Sequence, residues 1–402
     1  MNKFVDKDKF RRILSLAIML FSGIGMRILQ FKGSILVWML ILFILNFKSI
    51  LKITFRTWLG VGLLIALSIL MSLLKGAAIP YLIIVSIISA LFVLSNYFNN
   101  KGAFFSDFSK LLQFYMYYAL LAIPIMMFGT SMLNQVTLNG MEYRTCYWLF
   151  WFGGGGPSFF HGFRPDGLCW EPGIWQLFLN LNILFALYEK RSNKNIFLAV
   201  IASLSVFSTT GIIIMAFVIL IYFITLIKKN TIRKLLIPII IIIVSYPLLM
   251  QNLNEKINGQ YMGSGMTRFA DIFTGVNLLI ANPIFGAKTD LAIASENYSM
   301  WKVKKEFWKG NYTDGSFEGF MTVTNSNGII IFLLNWGLPI GLYLLYRSLR
   351  SNLFIDKRFS IMIMLTIYIS MFAEAISSTS FFYFFVLSSL LLAPDKNKYY
   401  AA

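Results

Sequence analysis

Runs of Ile, Leu, Phe and Met alternate with short polar connectors along most of the chain. Twelve apolar segments fall near 13–29, 34–50, 58–74, 79–96, 111–130, 172–188, 195–208, 211–227, 235–250, 326–346, 359–376 and 379–393. Most have the roughly 17 to 25 residues that a helix needs to cross a bilayer. The stretches 195–227 and 359–393 are too long for one helix and tight for two. Each is predicted to be a helical hairpin, broken at Ser208–Gly211 and at Ser377–Ser380, where small hydroxyl residues can turn or cap the chain. The expected fold class is all-α: a polytopic transmembrane helical bundle of about twelve spans, forming a single membrane domain over 1–402. Two large extracytoplasmic loops are expected, 131–171 and 251–325, the second with short surface helices.

Composition agrees with a membrane chain. Of 402 residues, 58% are hydrophobic and 13% charged, where soluble domains carry about 25% charged residues. A net charge of +18 would suggest nucleic acid if the basic residues formed one stripe. They sit instead in the short connectors, so no nucleic-acid partner is expected. The segment 251–325 balances 7 basic against 7 acidic residues, and 131–171 holds 2 against 3. Positive charge in short connectors marks the cytoplasmic side, which predicts an N-in, C-in chain with both long loops outside. Nothing near Arg12 resembles a cleaved leader, and the first span is expected to be retained.

Chemistry is therefore sought on the outer face. The run Arg164-Pro-Asp166-Gly-Leu-Cys169-Trp170-Glu171-Pro-Gly places two carboxylates and an arginine at the entrance of an apolar segment. Pro172 suits a first helical turn, so Glu171 is fixed at a helix start. It either satisfies exposed amides and the helix dipole there, worth about 0.3 to 1 kcal/mol, or does chemistry. Cys146 and Cys169 share this segment, and both a bridge and two inert thiols are open. Gly153–Gly156 lacks the pattern of a nucleotide loop, and the lone His161, which could take part in catalysis, makes a poor metal site. In the second loop, Arg268 follows a flexible Gly-Ser-Gly turn and could grip phosphate or meet lipid headgroups. Asn325 and Asn327 stand at the mouth of a late span. Arg27 and Glu374 lie near the outer ends of spans, where ionisable groups pair or line a cavity.

Arg164, Glu171-Pro-Gly, the Ser208–Gly211 break, Arg268 and the Asn327 to Gly337 spacing together resemble the bacterial O-antigen polymerase and ligase superfamily over about residues 35 to 350. That family often has His-Asn where this chain has Ser326-Asn327, a departure that favours the polymerase branch. The resemblance implies a glycosyltransferase in the bacterial cytoplasmic (inner) membrane that makes O-antigen or capsule on the outer leaflet. Its donor would be a glycan on undecaprenyl diphosphate and its acceptor a lipid-linked repeat unit, with no nucleotide sugar, cofactor or metal. A flippase and a chain-length regulator are the expected partners. In this reading Arg164 and Arg268 stabilise diphosphate. Glu171 serves as base, with Asp166 in reserve. His161, Trp170, Asn325, Asn327, Glu374 and Arg27 help to bind substrate. A ligase moving finished glycan and a lipid-linked oligosaccharide flippase are the alternatives.

Overall fold

A computed structural model describes residues 6–24, 33–128, 130–138, 141–154, 163–169, 171–226, 274–288 and 327–393, with a few isolated positions between 246 and 272. The described chain is helical, with one small sheet. In order come α1 (Lys7–Ile24), α2 (Ser34–Ile50), α3 (Phe55–Leu74), α4 (Tyr81–Leu94) and α5 (Lys101–Phe128). The strands β1 (Asn134–Leu138), β2 (Met141–Cys146), β3 (Phe150–Gly154) and β4 (Phe163–Pro165) follow. Then come α6 (Pro172–Tyr188), α7 (Asn193–Leu204), α8 (Thr209–Leu226), α9 (Gly328–Ser348), α10 (Lys357–Met371) and α11 (Ser380–Leu391).

The twelve-span bundle is overturned. Among the described residues three helices are long and apolar enough to cross a membrane: α3, α5 and α9. Six further apolar helices run to only 10–17 residues, at or below the shortest length that spans a bilayer core. The reason is visible in α6, where every residue from Pro172 to Leu187 is buried inside the protein. Apolar content reports what a helix must avoid, water, and not whether lipid or protein covers it.

The segment 131–171, expected as an outer loop, holds a small sheet. Its strands form an antiparallel sheet in the order β1-β2-β3-β4, with Arg144 opposite Phe152 and Arg164 opposite Gly153. Alternation along the strands sorts the side chains. Cys146, Phe150 and Phe152 pack with Ala122 and Met126 of α5, while Tyr143, Thr145, Trp151 and Arg164 occupy the other face. The segment 251–325 lies mostly outside the described residues.

Both long apolar stretches do break. The chain leaves α7 at Leu204 and enters α8 at Thr209, with Phe207 at φ 55. A polar seam on α6 holds this turn. Ser208 N donates to Gln176 Oε1 (3.0 Å), Gln176 Nε2 to Ser203 O (2.8 Å), Ser203 Oγ to Asn180 Oδ1 (2.7 Å), and Asn180 Nδ2 to Gly211 O (2.8 Å). Between α10 and α11, a short turn at Ile376–Ser378 leads to Thr379, whose hydroxyl caps α11.

The helix α9 is kinked, with Gly337 at φ 70, ψ 164 and Pro339 just beyond. Proline has no N–H to give Asn335 O, and Leu338 N turns away to Pro283 O (2.8 Å). The two carbonyls released are met from outside the helix. Lys75 Nζ donates to Leu334 O (2.9 Å) and Asn335 O (3.1 Å), and Ala287 N also donates to Leu334 O (3.2 Å).

Basic residues gather at one end of the bundle. Lys9 at the start of α1 donates to Ser106 near the start of α5 (3.3 Å), and Arg12 pairs with the buried Asp107 (2.6 Å). Arg191 after α6 reaches Ser109 (2.6 Å). Lys101 bonds the carbonyl of Ala393 beyond α11. The start of α1 and the end of α11 thus lie together, and the entrances of α6 and α9 lie at the opposite end.

Candidate functional site

Three segments converge on the entrance of α6. The first is the turn from β4. Asp166 N donates to Trp151 O (3.0 Å) and Cys169 N to Asp166 O (3.2 Å), which folds the chain back over Gly167 at φ 63. A side chain on Gly167 would overlap the Trp175 ring at 2.1 Å. The Asp166 carboxylate is buried over Gly153, where a methyl group would stand 2.6 Å from Oδ2. Arg164 lies opposite that glycine in the sheet and is half-buried. Among the described residues it forms no ion pair.

The second segment is α6 itself. Glu171 occupies the cap position with extended backbone, φ −140, ψ 144, and Pro172 follows at the first helical position. Its side chain makes no capping hydrogen bond and is partly exposed. The carboxylate thus stands at the positive end of the helix dipole without a hydrogen bond to the first-turn amides.

The third is the break between α10 and α11. Glu374 is 3% exposed, and its Oε1 presses on the first turn of α6, 1.8 Å from where a methyl on Gly173 would be. Its main-chain carbonyl crowds Gly328 at the start of α9 in the same way, at 2.6 Å. Asn327 joins these parts: Oδ1 accepts from Ile330 N (3.0 Å), capping α9, and Nδ2 donates to Phe372 O (3.1 Å). Its amide is committed at both ends to holding α9 against the α10–α11 turn.

Asp166 and Glu374 both act on Cys169, two residues before Glu171, and Arg164 pairs across the sheet with the glycine under Asp166, so segments two hundred residues apart come together at one helix entrance. The aromatic floor is Trp175, with Tyr115 at 5.0 Å and Tyr118 at 5.7 Å between ring centres. Cys169 sits among these groups. Burial, then the carboxylates of Asp166 and Glu374, push its thiol well above the ordinary range, so it is a poor nucleophile. Cys146 and Cys169 are both free and buried, Cys146 against α5 and Cys169 in the main core, and no bridge joins them.

Arg27, His161, Trp170, Arg268 and Asn325 lie outside the described residues. No group of three or more His, Cys, Asp and Glu able to hold a metal occurs among the described residues. Two features were not singled out from sequence: the Gln176-Asn180-Ser203 seam that fixes α6, and the sheet behind Arg164. The seam has a readable signal, amides at 176 and 180 on one face of an otherwise apolar helix. Comparison with protein-family models, with curated proteins and with solved structures yields no match for this chain.

Proposed function

We propose that this protein is a membrane glycosyltransferase that polymerises bacterial surface polysaccharide, O-antigen or capsule, from repeat units on undecaprenyl diphosphate. One observation carries the reading. A partly exposed carboxylate, Glu171, heads α6 without serving as its cap, beside two buried carboxylates and an arginine that forms no ion pair among the described residues. The long apolar helices α3, α5 and α9 give the chain a means of membrane association. The basic end of the bundle is the cytoplasmic one in this proposal, which puts both ends of the chain inside and the α6 entrance on the outer side of the inner membrane. A flippase supplying substrate and a chain-length regulator are the proposed partners.

In the proposed reaction, the acceptor hydroxyl oxygen attacks the anomeric carbon of the donor. The bond from that carbon to the diphosphate breaks, and its electron pair leaves with the diphosphate. Glu171 takes the hydroxyl proton. Arg164, helped by Arg268, meets the charge that develops on the leaving group, where a guanidinium offers a two-pronged contact. Glu374, packed on Gly173, is a positioning residue that fixes where α6 begins, and Asn327 holds α9 against the turn that carries Glu374. Glu171→Gln should fold and bind lipid-linked substrate but form product at least about 100-fold more slowly, the scale of acid–base assistance. Arg164→Lys should keep part of the activity that Arg164→Ala loses. Full activity in both Glu171→Gln and Arg164→Ala, at normal membrane abundance, would remove them from the mechanism.

A further inference from the structure

The turn joining β2 to β3 combines two unfavourable choices. Leu149 N donates to Cys146 O (3.0 Å), and the two residues between them, Tyr147 and Trp148, both have positive φ, 49 and 61. Such a turn ordinarily takes Gly, Asn or Asp, because bulky residues in this region are strained. Here it displays Tyr147, Trp148 and Leu149 at 71%, 51% and 65% exposure. Three large side chains held outward by a strained turn require something apolar to cover them.

Depth identifies what covers them. From Leu111 to Phe128, α5 carries no charge, and these eighteen residues rise about 27 Å, close to the thickness of a hydrocarbon core. Tyr118 lies ten residues inside Phe128, about 15 Å from that end. Its hydroxyl donates to Leu149 O, and its ring stacks on Phe150 at 4.8 Å. The turn is therefore level with the interior of the uncharged stretch. On α5 near that level, Phe114, Tyr117 and Leu121 are also exposed, so one apolar surface continues from the helix onto the turn.

Hydrocarbon further demands that polar groups find partners within the protein, and three carbonyls and one amide of this turn have them. Cys146 O accepts from Leu149 N, Leu149 O from Tyr118, and Trp148 O from Trp151 Nε1 (3.0 Å). We infer that the Tyr147–Leu149 turn is a re-entrant hairpin tip embedded in the acyl-chain region of the membrane beside α5, with lipid as the occupant that covers it. Because β3 also carries the Trp151 carbonyl that holds Asp166, embedding the tip fixes the sheet, and with it Arg164, below the headgroup plane. The inference needs α5 to span the membrane and stands apart from the proposed activity.

Two measurements on the full chain in phospholipid nanodiscs test it. Spin labels at Leu149→Cys, Leu121→Cys and Lys194→Cys, with Cys146 and Cys169 replaced by Ala, are compared for collision with oxygen and with a water-soluble nickel chelate. The label at 149 should behave as the one at 121, favouring oxygen, and opposite to the one at 194. Separately, in the chain with both native cysteines, Trp148→Phe should lose a large share of the tryptophan fluorescence that lipids brominated at mid-chain quench. A label at 149 that meets the nickel chelate as readily as the one at 194, or an unchanged quenched fraction in Trp148→Phe, would overturn the inference and point to an aqueous or protein-covered turn.

Discussion

Glu171 precedes the first turn of α6 and Glu374 packs onto it, and the glycine at 173 decides whether the buried carboxylate fits. Gly173 leaves no room for a side chain because the Glu374 carboxylate occupies that space, and the main chain of Glu374 is itself held against α9 and by Ile376 N (2.9 Å). Gly173→Ala must therefore shift the helix entrance or expel the carboxylate. A misplacement of about 1 Å at a reacting centre costs on the order of 100-fold in rate, and that loss is expected in a glycan-forming assay. Gly62→Ala, where nothing lies within 4 Å, should leave activity unchanged. The thiols make a second residue-scale prediction. Both are buried and Cys169 is held protonated, so alkylation of the folded protein near neutral pH should modify neither, and denaturation should expose both to mass-spectrometric detection. Rapid alkylation of Cys169 in the folded state would contradict the packing described.

Elements show which parts of the fold a sequence can announce. The carboxylates and Arg164 were legible because charged residues are costly beside apolar runs and stand out for that reason. The sheet was not, because Gly153-Gly154 and the aromatic residues around them read equally well as a loose connector, and only pairing across strands distinguishes the two. The Asn327 to Gly337 spacing was visible, but its meaning lies in the fold: Asn327 caps α9 and Gly337 breaks it. The break exposes carbonyls that Lys75 reaches from the end of α3, and this contact has a pH signature. Burial lowers the Lys75 ammonium from 10.5 to about 8, so the unfolded chain holds this proton more tightly than the folded one. Stability relative to Lys75→Met should therefore be flat below about pH 8, rise as pH increases toward 10.5, and level off above it. Unfolding followed across that range checks the slope, and a gap that narrows with rising pH would show that the charged form is the favoured one.

At the scale of the whole molecule, two separations matter. Lys9, Arg12, Lys101 and Arg191 lie at one end of the bundle, and Asp166, Glu171, Glu374 and Arg164 at the other. The number of spans was not visible, because hydropathy treats α6, enclosed by protein along its length, as it treats α3, much of which is exposed. What matters for function is the enclosure of α6: a rigid, buried helix gives the site a fixed floor, and the turn between α10 and α11 gives it a fixed wall. In the proposed function, a lipid-borne glycan arriving from within the membrane would meet Arg164 and Glu171 at that entrance. The most direct test is to incubate the purified protein in nanodiscs with its undecaprenyl-diphosphate-linked repeat unit, without nucleotide sugar, and to resolve the glycans by size. The account predicts a ladder of longer lipid-linked chains with release of undecaprenyl diphosphate, and little or no ladder with Glu171→Gln. Substrate that stays at one repeat unit, or a ladder that Glu171→Gln forms as fast as the wild type, would contradict it.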